Sequence, residues 1–441
     1  MAKGDQAKVP SSRVGRFARV ARLASGVAGG MIAEGTRRLR SGERPRARDM
    51  LLTPGNAQRV ADELARMRGA AMKMGQMLSM DGGEFLPREL ADILARLRSD
   101  ADFMPPEQLN ITMSEAFGED WEELFYGFDT RPIAAASIGQ VHRTYSPDGR
   151  EIVLKVQYPG VAKSIDSDVD NIATLLGISG LVPDGVDLAP LLKDAKAQLH
   201  AEADYLQEAE YLSQFGELLA DDARFVVPEV LPELTSRHVL AMTYIDSQPI
   251  EVIEHLDQDS RDALVTAMID LMLREFFELR MVQTDPNFAN YRYQAGRKKS
   301  DPGKVVLLDF GATRKFRAAF VNEYRRMVKA AQKGDQSRLL NAAEKLGYVV
   351  SDGSDEYRQF VLDIFAIALE PLTTEGPYDF GNSDMSLRLA ELGNDAQDFK
   401  EFWHAPPSDA VFFHRKVGGM FLLAQRMNAR VDVNALAKHW V

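Results

Sequence analysis

This chain of 441 residues contains no cysteine, and its seven histidines are scattered along the sequence. The lack of cysteine excludes disulfide bonds, thiolate metal sites and a cysteine nucleophile, and it fits a reducing compartment. Because the histidines do not cluster, a His-based metal centre is not expected. No apolar run approaches the about 20 residues that a membrane-spanning helix needs, so no transmembrane helix is predicted.

Positive charge is concentrated at the N-terminus, although the whole chain carries a net charge of −12. Residues 1–50 contain 12 Lys and Arg against 4 Asp and Glu, which makes this segment +8 and leaves −20 for the remainder. A basic N-terminal segment on an otherwise acidic chain suggests a local anionic partner, and the pattern favours lipid headgroups over nucleic acid. We therefore expect anionic lipids as partners and no nucleic acid.

The segment that begins at Ser11 predicts a basic amphipathic helix, because apolar side chains share one face and arginines the other. Three interpretations stay open. Residues 12–40 could bind a membrane surface, which would place the protein in the cytoplasm, peripheral to a bacterial inner membrane. The helix could instead dock on its own protein. Alternatively, residues 1–45 could be a cleavable presequence, which would direct the protein to the mitochondrial matrix.

A helix predicted over residues 57–80 places Lys73 and Gln76 on one face, three positions apart, in a Met-rich surround. Gly75 costs such a helix roughly 1 kcal/mol relative to alanine, which suggests close backbone contact. A lysine that extends to solvent beside a packed glycine would explain the same pattern. Spacing alone does not decide between a structural and a functional face.

The strand predicted over residues 151–158 contains Lys155 among β-branched residues. A lysine in such a strand either faces solvent or, if buried, needs an anionic partner such as a phosphate or a carboxylate. In a long helix predicted over residues 190–219, three of the carboxylates are candidates for that partner: Glu202, Asp204 and Glu208. A solvated acidic face would explain the same residues. Asp204 and Glu208 are four apart and would share a face of that helix.

Residues 305–308 predict a buried strand that delivers Asp309 onto the turn Phe310-Gly311. Upstream lies a loop with Asp285 and Asn290 five positions apart. An Asp–x4–Asn loop followed by Asp-Phe-Gly is the pattern of a kinase-type nucleotide and metal site. Asp309 and Asn290 supply oxygen ligands suited to Mg²⁺. ATP and Mg²⁺ are therefore the expected cofactors.

The predicted fold is α+β: a bilobal protein kinase-like fold with a small β-rich N-lobe and a helical C-lobe. We assign residues 1–52 to the basic segment and 53–122 to a helical extension. Residues 123–246 would form the N-lobe with a helical insertion, and 247–441 the C-lobe. After Gly311 the sequence predicts helices to the end.

Several motifs together resemble the UbiB-like atypical kinases, a protein kinase-like family tied to coenzyme Q (ubiquinone) biosynthesis. They are Lys73-Met74-Gly75-Gln76, Ala134-Ala135-Ala136-Ser137, Lys155 followed by Tyr158-Pro159-Gly160, Glu202-Ala203-Asp204, Gln283-Thr284-Asp285-Pro286-Asn287, and Leu308-Asp309-Phe310-Gly311. The resemblance is tight over about residues 55–330.

The resemblance implies a role for each matching residue. Lys155 would contact the phosphates, with Glu208 as its ion-pair partner, and Asp285 would be the catalytic-loop acid. Asn290 and Asp309 would bind the metal. The remaining nucleotide contacts would come from Ala134, Ala135, Ala136, Ser137, Met242 and Tyr244. Because alanine is disfavoured at positive φ where glycine is not, this alanine-rich loop should be stiffer than a glycine-rich one.

In the family, the helix that carries Lys73, Gly75 and Gln76 lies across the active site. Lys73 facing Glu202 and Asp204 would then form a regulatory latch. Gln283 and Thr284 replace the His-Arg of ordinary protein kinases, and no Ala-Pro-Glu follows Gly311. These departures argue against a protein substrate.

The leading hypothesis is an ATP-dependent atypical kinase or ATPase that supports ubiquinone biosynthesis at a membrane surface, with quinone-biosynthesis enzymes or isoprenoid lipid intermediates as partners. The alternatives are a small-molecule or lipid phosphotransferase and a nucleotide-gated scaffold without catalysis. The hypotheses differ in the acceptor of the γ-phosphate. It is water for an ATPase and a metabolite or lipid for a phosphotransferase, whereas a scaffold transfers no phosphate.

Overall fold

The computed structural model describes residues 103–179, 189–298, 300–350, 353–395, 399 and 407–441. The predicted basic helix and the helix with Lys73, Gly75 and Gln76 lie outside the described residues. The chain forms two compact units. The first comprises the described residues up to Ser213 together with Pro228–Tyr244, and the second comprises Gln214–Val227 and Ile245–Val441.

The first unit is built on a four-stranded antiparallel sheet with the order β1-β2-β3-β5. Its strands are β1 (Ala134–Ala136), β2 (Gly139–Tyr145), β3 (Glu151–Gln157) and β5 (Val239–Thr243). Its helices are α1 (Pro106–Phe117), α2 (Val161–Ser179) and α3 (Ala189–Glu202), and α4 (Tyr205–Leu218) begins in it. Proline at the first position of α1 suits a helix start, where its missing N–H costs nothing.

One face of this sheet packs against α1 and forms the core of the first unit. Ile152, Leu154 and Val156 of β3 meet Leu109 and Met113 in this cluster. Since successive strand residues point to opposite faces, Val153 and Lys155 lie on the other face. Their sheet partners on β5 are Met242 opposite Val153 and Leu240 opposite Lys155. The lysine therefore lies on the sheet face opposite this core, where it is buried as well.

The single helix predicted over residues 190–219 is wrong, because α3 ends at Glu202 and α4 begins at Tyr205. Asp204 lies in the break, and its Oδ1 accepts a hydrogen bond from the Gln207 amide at 3.1 Å. A short carboxylate that satisfies a free amide at a helix start favours a new helix over continuation of the old one. Asp204 thus precedes the helix that carries Glu208.

His142 on β2 is fully buried, with Nδ1 at 2.8 Å from the Asp129 carbonyl and its ring stacked on Phe128. Burial lowers the pKa of His142 below its ordinary value of 6.5, and Asp129 only partly opposes this. The folded chain therefore keeps the ring neutral at a pH where the unfolded chain already protonates it. The contribution of neutral His142 to the unfolding free energy is therefore fully present above about pH 6.5, and it is lost as the pH falls below that value.

We expect His142→Gln to flatten the pH dependence of unfolding. Between about pH 6.5 and the lower pKa of the folded state, one such group changes the unfolding free energy by up to about 1.4 kcal/mol per pH unit. Urea unfolding of both proteins at about pH 7.5 and pH 5.5 measures the difference. Equal losses on acidification would show that His142 does not contribute.

The second unit contains a four-stranded sheet with the order β4-β9-β8-β6 and two separate strand pairs, β7 with β10 and β11 with β12. Its strands are β4 (Phe225–Val226), β6 (Gln248–Pro249), β7 (Met281–Gln283), β8 (Tyr291–Gln294), β9 (Lys304–Leu307), β10 (Thr313–Lys315), β11 (Tyr378–Asp379) and β12 (Arg430–Val431). The β8–β9 pair is antiparallel, with Tyr291 opposite Leu307.

Helices make up most of the second unit. They are α5 (Gln258–Arg274), α6 (Ala318–Gln332), α7 (Gln336–Lys345), α8 (Asp355–Ala368), α9 (Glu370–Thr373), α10 (Met385–Asp395), α11 (Ser408–Arg426) and α12 (Val433–Trp440). The predicted all-helical end needs correction, because β10, β11 and β12 interrupt it. Among the described residues, no helix combines the length and apolar character that a bilayer span requires.

Candidate functional site

Lys155 forms a buried ion pair with Glu208 inside the first unit. Its Nζ lies 2.7 and 2.9 Å from the two carboxylate oxygens, and the two side chains are only 9% and 1% exposed. Of the three carboxylates that the sequence offered, Glu208 is the one in this contact. Two close oxygens compensate the charge that burial would otherwise penalise, so the ammonium group is held in one place.

Tyr205 and Gly139 complete the surroundings of this pair. The Lys155 Nζ lies 5.3 Å from the centre of the fully buried Tyr205 ring. A Cβ at Gly139 would overlap the Val156 carbonyl oxygen and lie 2.8 Å from the Tyr205 hydroxyl. Glycine at the start of β2 is therefore what lets this strand approach both β3 and Tyr205.

The alanine-rich segment forms a strand. Ala134, Ala135 and Ala136 constitute β1, and they pair with Val141, Gln140 and Gly139. None of the three has a positive φ, because the described non-glycine residues with positive φ are Arg280 and Asn428 alone. The backbone penalty that was expected to stiffen this loop is therefore absent, and hydrogen bonding to β2 orders it instead.

Ser137 connects the alanine-rich segment to the end of α3. Its hydroxyl donates to Glu202 Oε2 at 3.2 Å, and Gln198 donates to the other carboxylate oxygen at 3.2 Å. Glu202 is buried, whereas Asp204 caps the next helix. The predicted latch partner Lys73 lies outside the described residues.

Met242 and Tyr244 lie at the end of the sheet that contains Lys155. Met242 is buried opposite Val153, and the Tyr244 amide donates to the Glu151 carbonyl at 3.0 Å. The Arg143 guanidinium stacks over the Tyr244 ring at 4.0 Å. Both residues are thus fixed by the strands next to Lys155.

In the second unit, the loop after β7 brings Asp285 and Asn290 together. The Asn290 Nδ2 donates to Asp285 Oδ2 at 3.1 Å, and both side chains are buried. Just before the loop, Thr284 donates from its amide and its hydroxyl to the Ala312 carbonyl. The amide nitrogen of Asn290 is used on Asp285, which leaves Oδ1 as the atom that can ligate a cation.

Asp309 lies at the same edge of the sheet as Asn290. Asn290 directly precedes β8, Asp309 follows β9, and the Leu308 amide donates to the Asn290 carbonyl at 3.1 Å. Asp309 Oδ1 accepts the Gly311 amide at 3.0 Å. The buried Phe310 ring packs 4.5 Å from the Phe215 ring. Aromatic packing after the carboxylate thus fixes the turn that presents it.

The donor set at this edge suits Mg²⁺ bound with a nucleotide. The described residues contain no group of three or more His, Asp or Glu side chains arranged to hold a metal ion. Mg²⁺ commonly takes only one or two protein oxygens and completes its shell with water and phosphate. Asn290 and Asp309 match that requirement, whereas a permanent metal centre would need more ligands.

Sequence reasoning missed a buried cluster next to this loop. Lys416 of α11 donates to the Tyr291 hydroxyl at 2.7 Å and to Gln283 Oε1 at 3.3 Å, and its Nζ lies 3.5 Å from Glu275 Oε2. Burial raises the pKa of Glu275, against the effect of Lys416. Burial lowers the pKa of Lys416, but Glu275 and Tyr291 outweigh it and hold that pKa above its usual value.

The family comparison matches residues 96–343 to the model of the ABC1 atypical kinase-like domain. This match covers both the segment with Lys155 and Glu208 and the segment with Asp285, Asn290 and Asp309. It confirms the predicted kinase-like fold and the resemblance to the UbiB-like atypical kinases.

Curated relatives extend the similarity over almost the whole chain. The Caenorhabditis elegans mitochondrial atypical kinase coq-8 is 37% identical over 99% of this chain, which spans 58% of that protein's length. The Saccharomyces cerevisiae mitochondrial atypical kinase COQ8 is 36% identical, with 98% of this chain and 85% of that protein covered. A solved structure of Mycobacterium tuberculosis Rv3197 with erythromycin is 23% identical and matches with a TM-score of 0.59, over 88% of this chain and 96% of that one. The structural match concerns the fold alone.

Proposed function

This chain belongs to the ABC1 atypical kinase-like family, and from that premise we propose that it binds Mg-ATP and hydrolyses it in support of ubiquinone biosynthesis. The observation that carries the proposal is the edge of the second unit where Asn290 donates to Asp285 and Asp309 follows the neighbouring strand β9. Phosphoryl transfer requires a positioned acid and oxygen ligands for Mg²⁺. Asp285, held by the Asn290 amide, fits the first role, and Asn290 and Asp309 fit the second.

Each residue has a distinct task in this proposal. Asn290 and Asp309 would hold Mg²⁺, and the ion would supply the neutralisation of phosphate charge that the reaction needs. Lys155, held by Glu208, contributes a fixed cation for the phosphates. Asp285, which accepts a hydrogen bond from Asn290, would orient or deprotonate the attacking water or hydroxyl group. Met242, on the sheet face of Lys155, offers an apolar contact for the base.

The short connection after Asp309 supports water or a small acceptor over a peptide. Strand β10 begins at Thr313, and α6 begins at Ala318, so the chain returns to regular structure within a few residues of Gly311. Protein kinases use a long segment at this point to bind and align peptide substrates. We therefore propose ATP hydrolysis without phosphorylation of a protein in trans.

The proposed site of action is a membrane surface, where the basic segment over residues 12–40 would bind anionic lipids. Its charge supports this, since juxtamembrane Lys and Arg contribute about 1 kcal/mol each near an anionic surface. Quinone-biosynthesis enzymes and isoprenoid lipid intermediates are the proposed partners. Residues 1–45 would act as a presequence if the protein is imported into mitochondria.

Asp309→Asn is expected to remove Mg-dependent nucleotide binding. The substitution keeps the shape of the side chain but replaces a charged ligand, so kcat/KM for ATP hydrolysis should fall on the order of 100-fold or more. Nucleotide titration with and without Mg²⁺ and release of phosphate in the presence of anionic vesicles measure the effect. Asp363→Asn, the same change at an exposed position of α8, serves as the control.

The same pair of variants tests the pathway. In a strain that lacks its own family member, the wild type and Asp363→Asn should restore ubiquinone, and Asp309→Asn should not. Unchanged Mg-nucleotide affinity in Asp309→Asn would contradict the assigned metal site. Full ubiquinone recovery with Asp309→Asn would contradict a catalytic role and favour a scaffold.

A further inference from the structure

Lys416 connects the two ends of the loop that carries Asp285 and Asn290. One of its hydrogen bonds goes to Gln283, two residues before Asp285, and the other goes to the Tyr291 hydroxyl, directly after Asn290. Gln283 ends β7 and Tyr291 begins β8. The ammonium group thus bridges the entry and the exit of one short loop from a helix 133 residues away in sequence from Gln283.

The charge of Lys416 is fully enclosed by the second unit. Its side chain is 4% exposed and that of Glu275 is 2% exposed. Glu275 begins the π-helical turn Glu275–Leu279 between α5 and β7. A buried ion pair of this kind is weak evidence for stability, because two apolar residues of similar volume are often equally stable. Charge compensation alone would therefore not require a lysine here.

A second contact from the same helix reaches the loop itself. A Cβ at Gly419 would overlap the Cβ of Pro286 and lie 3.2 Å from its Cα. Pro286 is the residue after Asp285. Helix α11 therefore contacts the loop at three points. Lys416 binds its entry and its exit, and Gly419 packs against Pro286, just after Asp285.

We propose that Lys416 is a positioning residue for the catalytic loop. By binding Gln283 and Tyr291 together it fixes the distance between the loop ends, and this keeps Asp285 and Asn290 in the hydrogen bond that orients both. This inference rests on the proposed function, because it assigns Lys416 a part in the same reaction. Lys416 acts through the loop and need not touch the nucleotide.

The decisive variant is Lys416→Met combined with Glu275→Gln, which removes both buried charges and leaves neither partner charged and unpaired. The double variant should fold normally and bind Mg-ATP with a KM within about threefold of wild type, because Lys155, Asn290 and Asp309 are unchanged. Its kcat should fall by about 10- to 100-fold, as expected when a catalytic group is misplaced by about 1 Å. The same two substitutions at Lys345 and Glu344, which are exposed neighbours in α7, provide the control.

Hydrogen exchange of the peptide that covers residues 283–291 supplies a readout independent of catalysis. The double variant should exchange faster in this peptide while the rest of the second unit keeps its protection. Tyr291→Phe, which removes one of the two hydrogen bonds, should give an intermediate kcat and intermediate exchange. These results would support positioning.

Wild-type kcat together with wild-type exchange in the double variant would overturn the inference and leave Lys416 as charge compensation for Glu275. If the wild type itself hydrolyses no ATP, the proposed function fails, and the exchange experiment still decides whether Lys416 orders the loop. Faster exchange spread over the entire second unit would also contradict positioning, because it would indicate a general loss of stability.

Discussion

Lys155→Met and Glu208→Leu are each expected to lower the unfolding free energy by about 3–5 kcal/mol, because each removes one member of a buried ion pair. The partners are 9% and 1% exposed, so solvent cannot replace the missing group. The double variant should regain most of this loss, since two apolar side chains can fill the same space without a charge. In each single variant, the decrease in unfolding free energy should exceed the decrease that the loss of one hydrogen bond causes.

A double-mutant cycle from urea unfolding measures this coupling. We expect an interaction energy of at least about 2 kcal/mol between the two positions, which is well above the few tenths seen for independent sites. The double variant should be stable but should not bind Mg-ATP, so stability and nucleotide binding would separate. Additive losses would show that the charges do not depend on each other, and nucleotide binding by the stable double variant would contradict the role of Lys155.

The matched exposed pair Arg143 and Glu151 provides the control for this cycle. Their guanidinium and carboxylate groups are also in contact, but the side chains are 45% and 32% exposed. Exposed pairs contribute little to stability, because water screens their charges. Arg143→Met and Glu151→Leu should therefore give little coupling, and a value as large as that for Lys155 and Glu208 would mean that burial is not the cause.

The sequence was sufficient to predict those features that depend on residues close together in the chain. The pattern of Asp285, Asn290 and Asp309 depends on short spacings within one loop and one strand, and the structure places all three at one end of the β8–β9 pair. The strand with Lys155 followed equally from its β-branched neighbours.

Two features could not be predicted for physical reasons. The break between α3 and α4 depends on Asp204, whose preference for capping competes with an apolar pattern that continues on both sides. Lys416 gave no local signal, because its partners lie far away in sequence and an isolated lysine in an amphipathic helix normally faces solvent. Its burial is a consequence of tertiary packing, which spacing rules do not contain.

The close contact at Gly419 is also a consequence of tertiary packing that the sequence alone does not predict. Substitution of this glycine is the second change with a large expected effect. In a helix, valine at a glycine position normally gains a few tenths of a kcal/mol from helix propensity. At Gly419 the new Cβ would overlap Pro286, and valine adds two further carbons beyond it. We expect Gly419→Val to lower the unfolding free energy by about 3 kcal/mol, the upper range for overpacked positions.

Gly418→Val is the matched control, because its Cβ would meet no atom within 4 Å and it lies in the same helix. This variant should stay within about 0.5 kcal/mol of wild type in urea unfolding. Because Pro286 follows Asp285, Gly419→Val should also displace the catalytic loop, so kcat for ATP hydrolysis should fall while Gly418→Val keeps it. Equal unfolding free energies for the two variants would show that α11 does not pack tightly against the loop at Gly419. If Gly419→Val is unstable yet retains wild-type kcat at a temperature where it is folded, the contact stabilises the second unit without positioning Asp285.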